Sequence, residues 1–351
     1  MDNRVAKHAK ILVEYSTKVK EGDNVLILMQ DYGLELASEI YKQAAIIGAS
    51  PLIVITPTEM MKEYYELTPE RFLSMLPKNL YTLFKESDVV VSIKGEENLK
   101  AMTNVNPMKI GLRSKAIQPI KEEYLKKRWV VTQYPCVSYA QEAEMSLREY
   151  EDFVYGAILL DWEEEKSKME RIKRIIENSD KISIFGEDTE IEMSVKGRKA
   201  IVDAGEHNMP GGEIFTAPVE NSVNGKIYFD LPAIAFGKEI SGIRVEFENG
   251  KINKISAEKN EDLLRTLINI DEGAKVVGEF GIGMNEKIKK FTKNILFDEK
   301  IGGTIHLAIG SAYKECGGKN ESAIHLDMIK TMKGGTIFAD GKTIQKDGKF
   351  I

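Results

Sequence analysis

Histidine is scarce in this chain, at four copies in 351 residues, and two of them fall in short apolar runs near the carboxyl terminus. In Thr304-Ile305-His306-Leu307-Ala308-Ile309-Gly310, a period of two sends Ile305, Leu307 and Ile309 to one face and His306 to the other. In Ile324-His325-Leu326-Asp327-Met328, the same rule turns His325 and Asp327 away from Ile324, Leu326 and Met328. An imidazole and a carboxylate so placed can share one ion or hydrogen-bond each other. Two glutamates have related settings. Glu279 lies in Val276-Val277-Gly278-Glu279-Phe280-Gly281, where an unpaired carboxylate is costly to bury, and Glu213 leaves the tight turn Pro210-Gly211-Gly212 directly before another strand. Taken singly, each reads as an ion-paired glutamate or a satisfied core histidine. Together, Glu213, Glu279, His306, His325 and Asp327 are three carboxylates and two imidazoles without a thiolate. That set suits zinc, cobalt, manganese or similar ions, and it can hold two of them if one carboxylate bridges.

Other chemistries lose support. There is no H-E-x-x-H, no G-x-x-x-x-G-K-[ST] and no G-x-S-x-G. Gly278-Glu279-Phe280-Gly281-Ile282-Gly283 does not have the G-x-G-x-x-G spacing and lies in a β-rich region. Cys136 and Cys316 are far apart, which suggests neither a disulfide framework nor a thiolate zinc site and fits a reducing cytoplasm.

The elements that must position these residues fall into two halves. A helical pattern over residues 4–20 leads into Val25-Leu26-Ile27-Leu28-Met29, a second helical pattern covers about 34–47, and Pro51-Leu52-Ile53-Val54-Ile55 follows. With Val89-Val90-Val91 and Val130-Val131, this predicts an α/β domain with a mostly parallel sheet covered on both faces. From 139 to 179 the pattern is helical and heavily charged, which reads as a solvated helix face. Beyond 181 the texture becomes short alternating segments punctuated by Asn249-Gly250, Asp340-Gly341 and Asp347-Gly348, with one helix at about 259–269. The expected organisation is an α/β domain over 1–180 and a mainly β (α+β) catalytic domain over 181–351. Two domains also suit a length beyond the roughly 250–300 residues over which one core usually grows.

Composition bounds the partners. With 49 Lys+Arg against 55 Asp+Glu, the net charge is −6, which gives no electrostatic reason to expect nucleic acid or an anionic membrane. No run approaches the ~18 apolar residues of a membrane helix, and the amino terminus has no apolar secretory core, so a cytoplasmic location is expected.

At these residues the sequence resembles the aminopeptidase T (thermophilic aminopeptidase) family of metallopeptidases. The matching segments are His207-Asn208-Met209-Pro210-Gly211-Gly212-Glu213-Ile214-Phe215-Thr216-Ala217-Pro218, Gly278–Gly283, Phe297-Asp298-Glu299-Lys300 leading to His306–Gly310, and Gly317-Gly318-Lys319-Asn320-Glu321-Ser322-Ala323-Ile324-His325-Leu326-Asp327. The likeness covers nearly the whole chain. It implies a metal-dependent aminopeptidase that releases the first residue of peptides with a free amino terminus, using two divalent ions (zinc, cobalt, manganese or magnesium) and a bridging water. It also implies a homodimer. The family's ligands map onto Glu213, Glu279, His306, His325 and Asp327, and Glu299 matches a further position expected to ligate or to act as acid and base. Tyr313 matches the family's active-site tyrosine, and the segment after it is short here, which bears on substrate access. Two rival readings are a metal- or small-ligand-binding protein without turnover, and a nicotinamide-dependent oxidoreductase drawn from fold analogy alone.

Overall fold

The computed structural model describes residues 2–351. Contacts group them into two units. The first runs through Leu160 and takes in Gly205–Pro210, and the second comprises Asp161–Ala204 and Gly211–Ile351.

In the first unit, five parallel strands form one sheet in the order Ser50–Ile55, Asn24–Met29, Val89–Lys94, Arg128–Gln133, Asn208–Met209. Val25, Leu26, Ile27 and Val89, Val90, Val91 are all buried, as continuous apolar runs in a sheet covered on both faces should be. The helix Leu34–Ile47 ends at Gly48, whose φ of 90° allows the left-handed closure that returns the chain to the sheet. The expected amino-terminal helix is observed as Asn3–Lys10 continued by a π-helical turn at Ile11–Ser16. The charged stretch after 139 contains three helices, Val137–Glu142, Leu147–Ile158 and Trp162–Glu177. Ser146 opens the second of these with a capping box to Glu149.

The last of the three helices groups with the second unit, so the division by contacts falls at Leu160 where the sequence suggests 180. The reason is its apolar stripe of Met169, Ile172 and Ile176, which packs against the strands Ala200–Asp203 and Glu213–Thr216.

A doubly wound sheet would receive a dinucleotide at the carboxyl ends of Asn24–Met29 and Val89–Lys94, where the strand order reverses. Here the loops that follow those two strands are tied together. The Tyr32 amide donates to the Gly95 carbonyl at 2.8 Å, and even a Cβ on Gly95 would lie 2.5 Å from the Tyr32 carbonyl oxygen. Gly33, at the start of the following helix, is packed against Ile93. This close approach leaves little room for a pyrophosphate between the two loops. The protein should leave the absorbance and fluorescence of reduced nicotinamide cofactors unchanged at millimolar concentration; a saturable change would show a site elsewhere.

The second unit is built on an antiparallel eight-stranded sheet and an antiparallel five-stranded sheet, with a small hairpin at Ala233–Ala235 and Lys238–Ile240. Its tight turns use the expected dipeptides. Asn249-Gly250, Asp340-Gly341 and Asp347-Gly348 all have positive φ at both residues, which matches the twist of the strands that they join. The single longer helix after the first sheet strands is Glu261–Ile268. The five-stranded sheet carries the chemistry. Its order is His325–Thr331, Thr304–Gly310, Val277–Gly283, Glu213–Thr216, Ala200–Asp203, with every neighbour antiparallel.

Candidate metal centre

Register decides which side chains can meet. Glu279 is opposite Ala308, and Ala308 is opposite Asp327, so these three form one row across the sheet. Two residues along, Phe215, Gly281 and His306 form the next row, and Glu213 lies opposite Gly283 in the row beyond. His325 pairs with Gly310. Residues opposite one another, or two apart on a strand, share a face. Glu213, Glu279, His306, His325 and Asp327 therefore all stand on the same face, while Phe280, Ile282, Ile305, Leu307 and Ile309 point to the core on the other.

Small residues are interspersed among the large ones on that face, and Gly281 is the decisive one. A Cβ there would lie 2.0 Å from Nε2 of His306, so the bare backbone leaves the space into which the ring extends. Glu213 is fixed by its turn. Gly212 has a φ of 121°, donates to the Asp203 carbonyl at 2.7 Å and accepts from the Met284 amide at 2.7 Å. Asn285 fits where a Gly212 side chain would be, and its amide donates to the Gly211 carbonyl at 3.1 Å.

The five side chains form two overlapping triads. Ligand atoms of Glu213, Glu279 and His306 lie within 4.8 Å of one another, as do those of Glu279, His325 and Asp327, so Glu279 belongs to both. Nε2 of His306 is 3.5 Å from Glu213 Oε2 and 3.3 Å from Glu279 Oε1. Nε2 of His325 is 3.1 Å from the other Glu279 oxygen and 3.5 Å from Asp327 Oδ1. The two triads differ in burial. The first is closed off, with the His306 side chain at 0% exposure, whereas the His325 side chain is 28% exposed.

Support beyond these side chains is uneven. Nδ1 of His325 is 2.8 Å from the Ser311 carbonyl, to which it donates in the tautomer that leaves Nε2 free to ligate. Glu213 Oε2 is buried without a hydrogen-bond partner, as is His306 Nδ1. An orphaned carboxylate oxygen facing an imidazole nitrogen and a second carboxylate is what a divalent ion would satisfy, and the oxygen and nitrogen donors suit one. The residues present fit the group.

Glu299 stands in neither triad. Its Oε1 is in close contact with Nζ of Lys300, which also lies 3.1 Å from Glu213 Oε1. Both follow a short helix, Ile295–Asp298, where buried Asp298 accepts from the Thr292 and Asn294 amides. Tyr313 is at the open side, its ring 5.4 Å from that of His325 and 5.1 Å from that of Phe215, and it is 45% exposed. Sequence reasoning missed two participants. Lys300 is hidden in a charged string that looks like surface, and the need for Gly281 depends on a register that no local pattern specifies.

The electrostatics follow from crowding like charges in a dry place. Burial, and then the nearby Glu299, push the Glu213 carboxyl up to about 8. Burial alone would also raise Glu279, but the two imidazoles outweigh it and hold that carboxyl well below its usual range. The same partners act in reverse on the rings. Desolvation opposes the charge on His306 and His325, yet their carboxylate neighbours prevail and lift them to about 9 and about 11. Burial raises the Tyr313 phenol, helped by the surrounding carboxylates, so it keeps its proton throughout the neutral range.

A buried carboxylate and imidazole pocket of this kind, on one face of a β-sheet, is the donor set of a metalloenzyme. The chain belongs to the thermophilic metalloprotease (M29) family, whose model it matches over residues 1–350. Among curated proteins it is similar to aminopeptidase T of Thermus thermophilus, with 23% identity over 375 aligned positions covering 92% of this chain and 91% of the relative. The structure of wild-type AmpT from Thermus thermophilus superposes with a TM-score of 0.88 at 22% identity, covering 99% of each chain. A 2,5-dihydroxypyridine dioxygenase from Pseudomonas putida has the same fold, with a TM-score of 0.67 at 15% identity over 99% of this chain and 96% of that one.

Two outcomes are expected. Ligation requires neutral imidazoles and ionised carboxylates, so zinc binding to the metal-free protein at pH 7 should release protons, and affinity should rise with pH as His306 and His325 are deprotonated. Calorimetry in two buffers of different ionisation enthalpy measures this; equal heats in both would contradict the protonation states above. Gly281→Ala should displace the His306 ring and weaken metal binding by at least the ~10–100-fold typical of disturbed ligand support. A folded variant that binds metal normally would remove the glycine from the argument.

Proposed function

We propose that this protein is a metal-dependent aminopeptidase that hydrolyses the first peptide bond of peptides with a free amino terminus. The observation that carries the reading is the sharing of Glu279 between two triads on one sheet face. A carboxylate with one oxygen turned to each triad would be able to bridge two ions, and the names of the aminopeptidase relatives point to the reaction. Glu213 and His306 would hold one ion with it in the inner triad, and His325 and Asp327 the other in the outer triad. With −3 from Glu213, Glu279 and Asp327, two divalent ions leave about +1, and their chemistry is to favour deprotonated water and polarise the scissile carbonyl. The native ion is one of zinc, cobalt, manganese or magnesium.

The chain's own groups do the rest. Glu299, outside both triads and with its carboxyl raised by burial, takes the proton from the attacking water and returns it to the departing amine. Tyr313, protonated and beside His325, donates a hydrogen bond to the developing oxyanion. Phe215 and Tyr313 place an aromatic pair on the open side, a surface suited to apolar peptide groups.

We further place the protein in the cytoplasm as a homodimer. Both cysteines are free and buried, in keeping with a reducing compartment, and among the described residues no helix is long and apolar enough to cross a membrane. The dimer rests on the family resemblance, and light scattering on the eluting protein tests it, a monomer mass being the contrary result.

Chelation should abolish release of free amino acids from unblocked peptides, with activity restored by adding back a divalent ion. Acetylating the peptide's amino terminus should block cleavage, and equal turnover of both forms would contradict the exopeptidase assignment. Metal content without hydrolysis across a broad peptide panel would return the reading to a binding protein. Tyr313→Phe should keep its metal and lose ~10²–10³ in kcat. Full activity would remove the phenol from the mechanism.

A further inference from the structure

Lys300 has a role that the ligand set does not include. It is fully buried, and its Nζ lies between Glu213 Oε1, at 3.1 Å, and Glu299 Oε1. A buried ammonium has to be paired, and here it takes one oxygen from each of two acids. We propose that Lys300 is a positioning residue that confines Glu213 to ligation through Oε2 and keeps Glu299 out of the ligand set, reserving it for proton transfer. This rests on the metal-centre reading above.

Three observations support it. Glu213 is asymmetric: Oε1 is bound to Lys300, and Oε2 has no hydrogen-bond partner and faces His306 Nε2 at 3.5 Å. Glu299 is close enough for its charge to act on Glu213, and for Asp327 and His306 to act on it, yet it joins neither triad. The lysine's place is set by backbone, independently of the acids it holds: its amide donates to the Phe297 carbonyl at 3.0 Å and its carbonyl accepts from the Asn285 amide at 3.0 Å. A carboxylate near a dication would be drawn to it unless another cation held it. A flexible stem with a point charge at its end can satisfy two acids at once without the rigid fork of an arginine.

The prediction runs against what a merely supporting residue would show. Lys300→Met keeps length and apolar bulk and removes the charge, which frees both oxygens of Glu213 and releases Glu299. Metal-free wild type, K300M and E299Q are each titrated with cobalt(II), followed by visible absorption and calorimetry, and kcat and KM are measured on an unblocked peptide. K300M should bind cobalt at least as tightly as wild type and show a weaker visible band, as expected for a higher coordination number. Its kcat should fall by about 10², with KM little changed. E299Q should keep the wild-type affinity and band and lose kcat to a similar degree. Loss of cobalt from K300M would make the lysine general scaffolding and overturn the proposal. So would looser binding or an altered band in E299Q, which would make Glu299 a ligand, and E299Q decides the matter if K300M does not fold. Wild type that binds no cobalt would instead overturn the metal-centre reading itself.

Discussion

The constraint on which the site depends is the gathering of negative charge on a surface that excludes water. Glu213 and Glu279 are buried on one sheet face, with Glu299 and Asp327 close by. Carboxylates this close cannot all stay ionised in a dry pocket without compensating positive charge. The chain supplies part of it through Lys300 and two imidazoles that hold protons beyond their usual range. Those imidazolium protons are placeholders. They compete with a cation for the same ring nitrogens, so a divalent ion would enter by displacing protons.

The architecture serves this constraint in simple ways. One face of the five-stranded sheet is oily and anchors the strands, which fixes the register and hence the spacing of the candidate ligands. The other face carries the donors with glycines and an alanine among them, and Gly281 under the His306 ring is the clearest case. The tight turn through Gly211 and Gly212 is tied to Asn285 by packing and a hydrogen bond, so Glu213 arrives at the pocket with little freedom. The burial gradient from the inner triad to the outer one leaves one side open for a peptide to approach. The fold alone would not specify this chemistry, because the same scaffold accommodates differently named enzymes. The donor set and its spacing make the functional argument.

Much of this was legible locally. Alternation at 304–310 and 325–327 separated donor from core positions, and the strands observed follow the same alternation. Asn-Gly and Asp-Gly pairs marked the tight turns because few other residues tolerate positive φ. What could not be read was non-local. Nothing in a short segment announces that Asn208–Met209 joins the Arg128 strand, or that Trp162–Glu177 groups with the second unit. Lys300 illustrates the same limit. In a string with Asp298 and Glu299 it looks like solvated surface, and only the approach of the Glu213 strand reveals that it is buried between acids.

The most direct measurement is an anomalous-scattering map of crystals of the protein loaded with zinc, collected on either side of the metal edge. Two peaks about 3.5–4 Å apart, on either side of the Glu279 carboxylate, are what the account predicts. A single peak away from Glu279, or none at the sheet face, would contradict it.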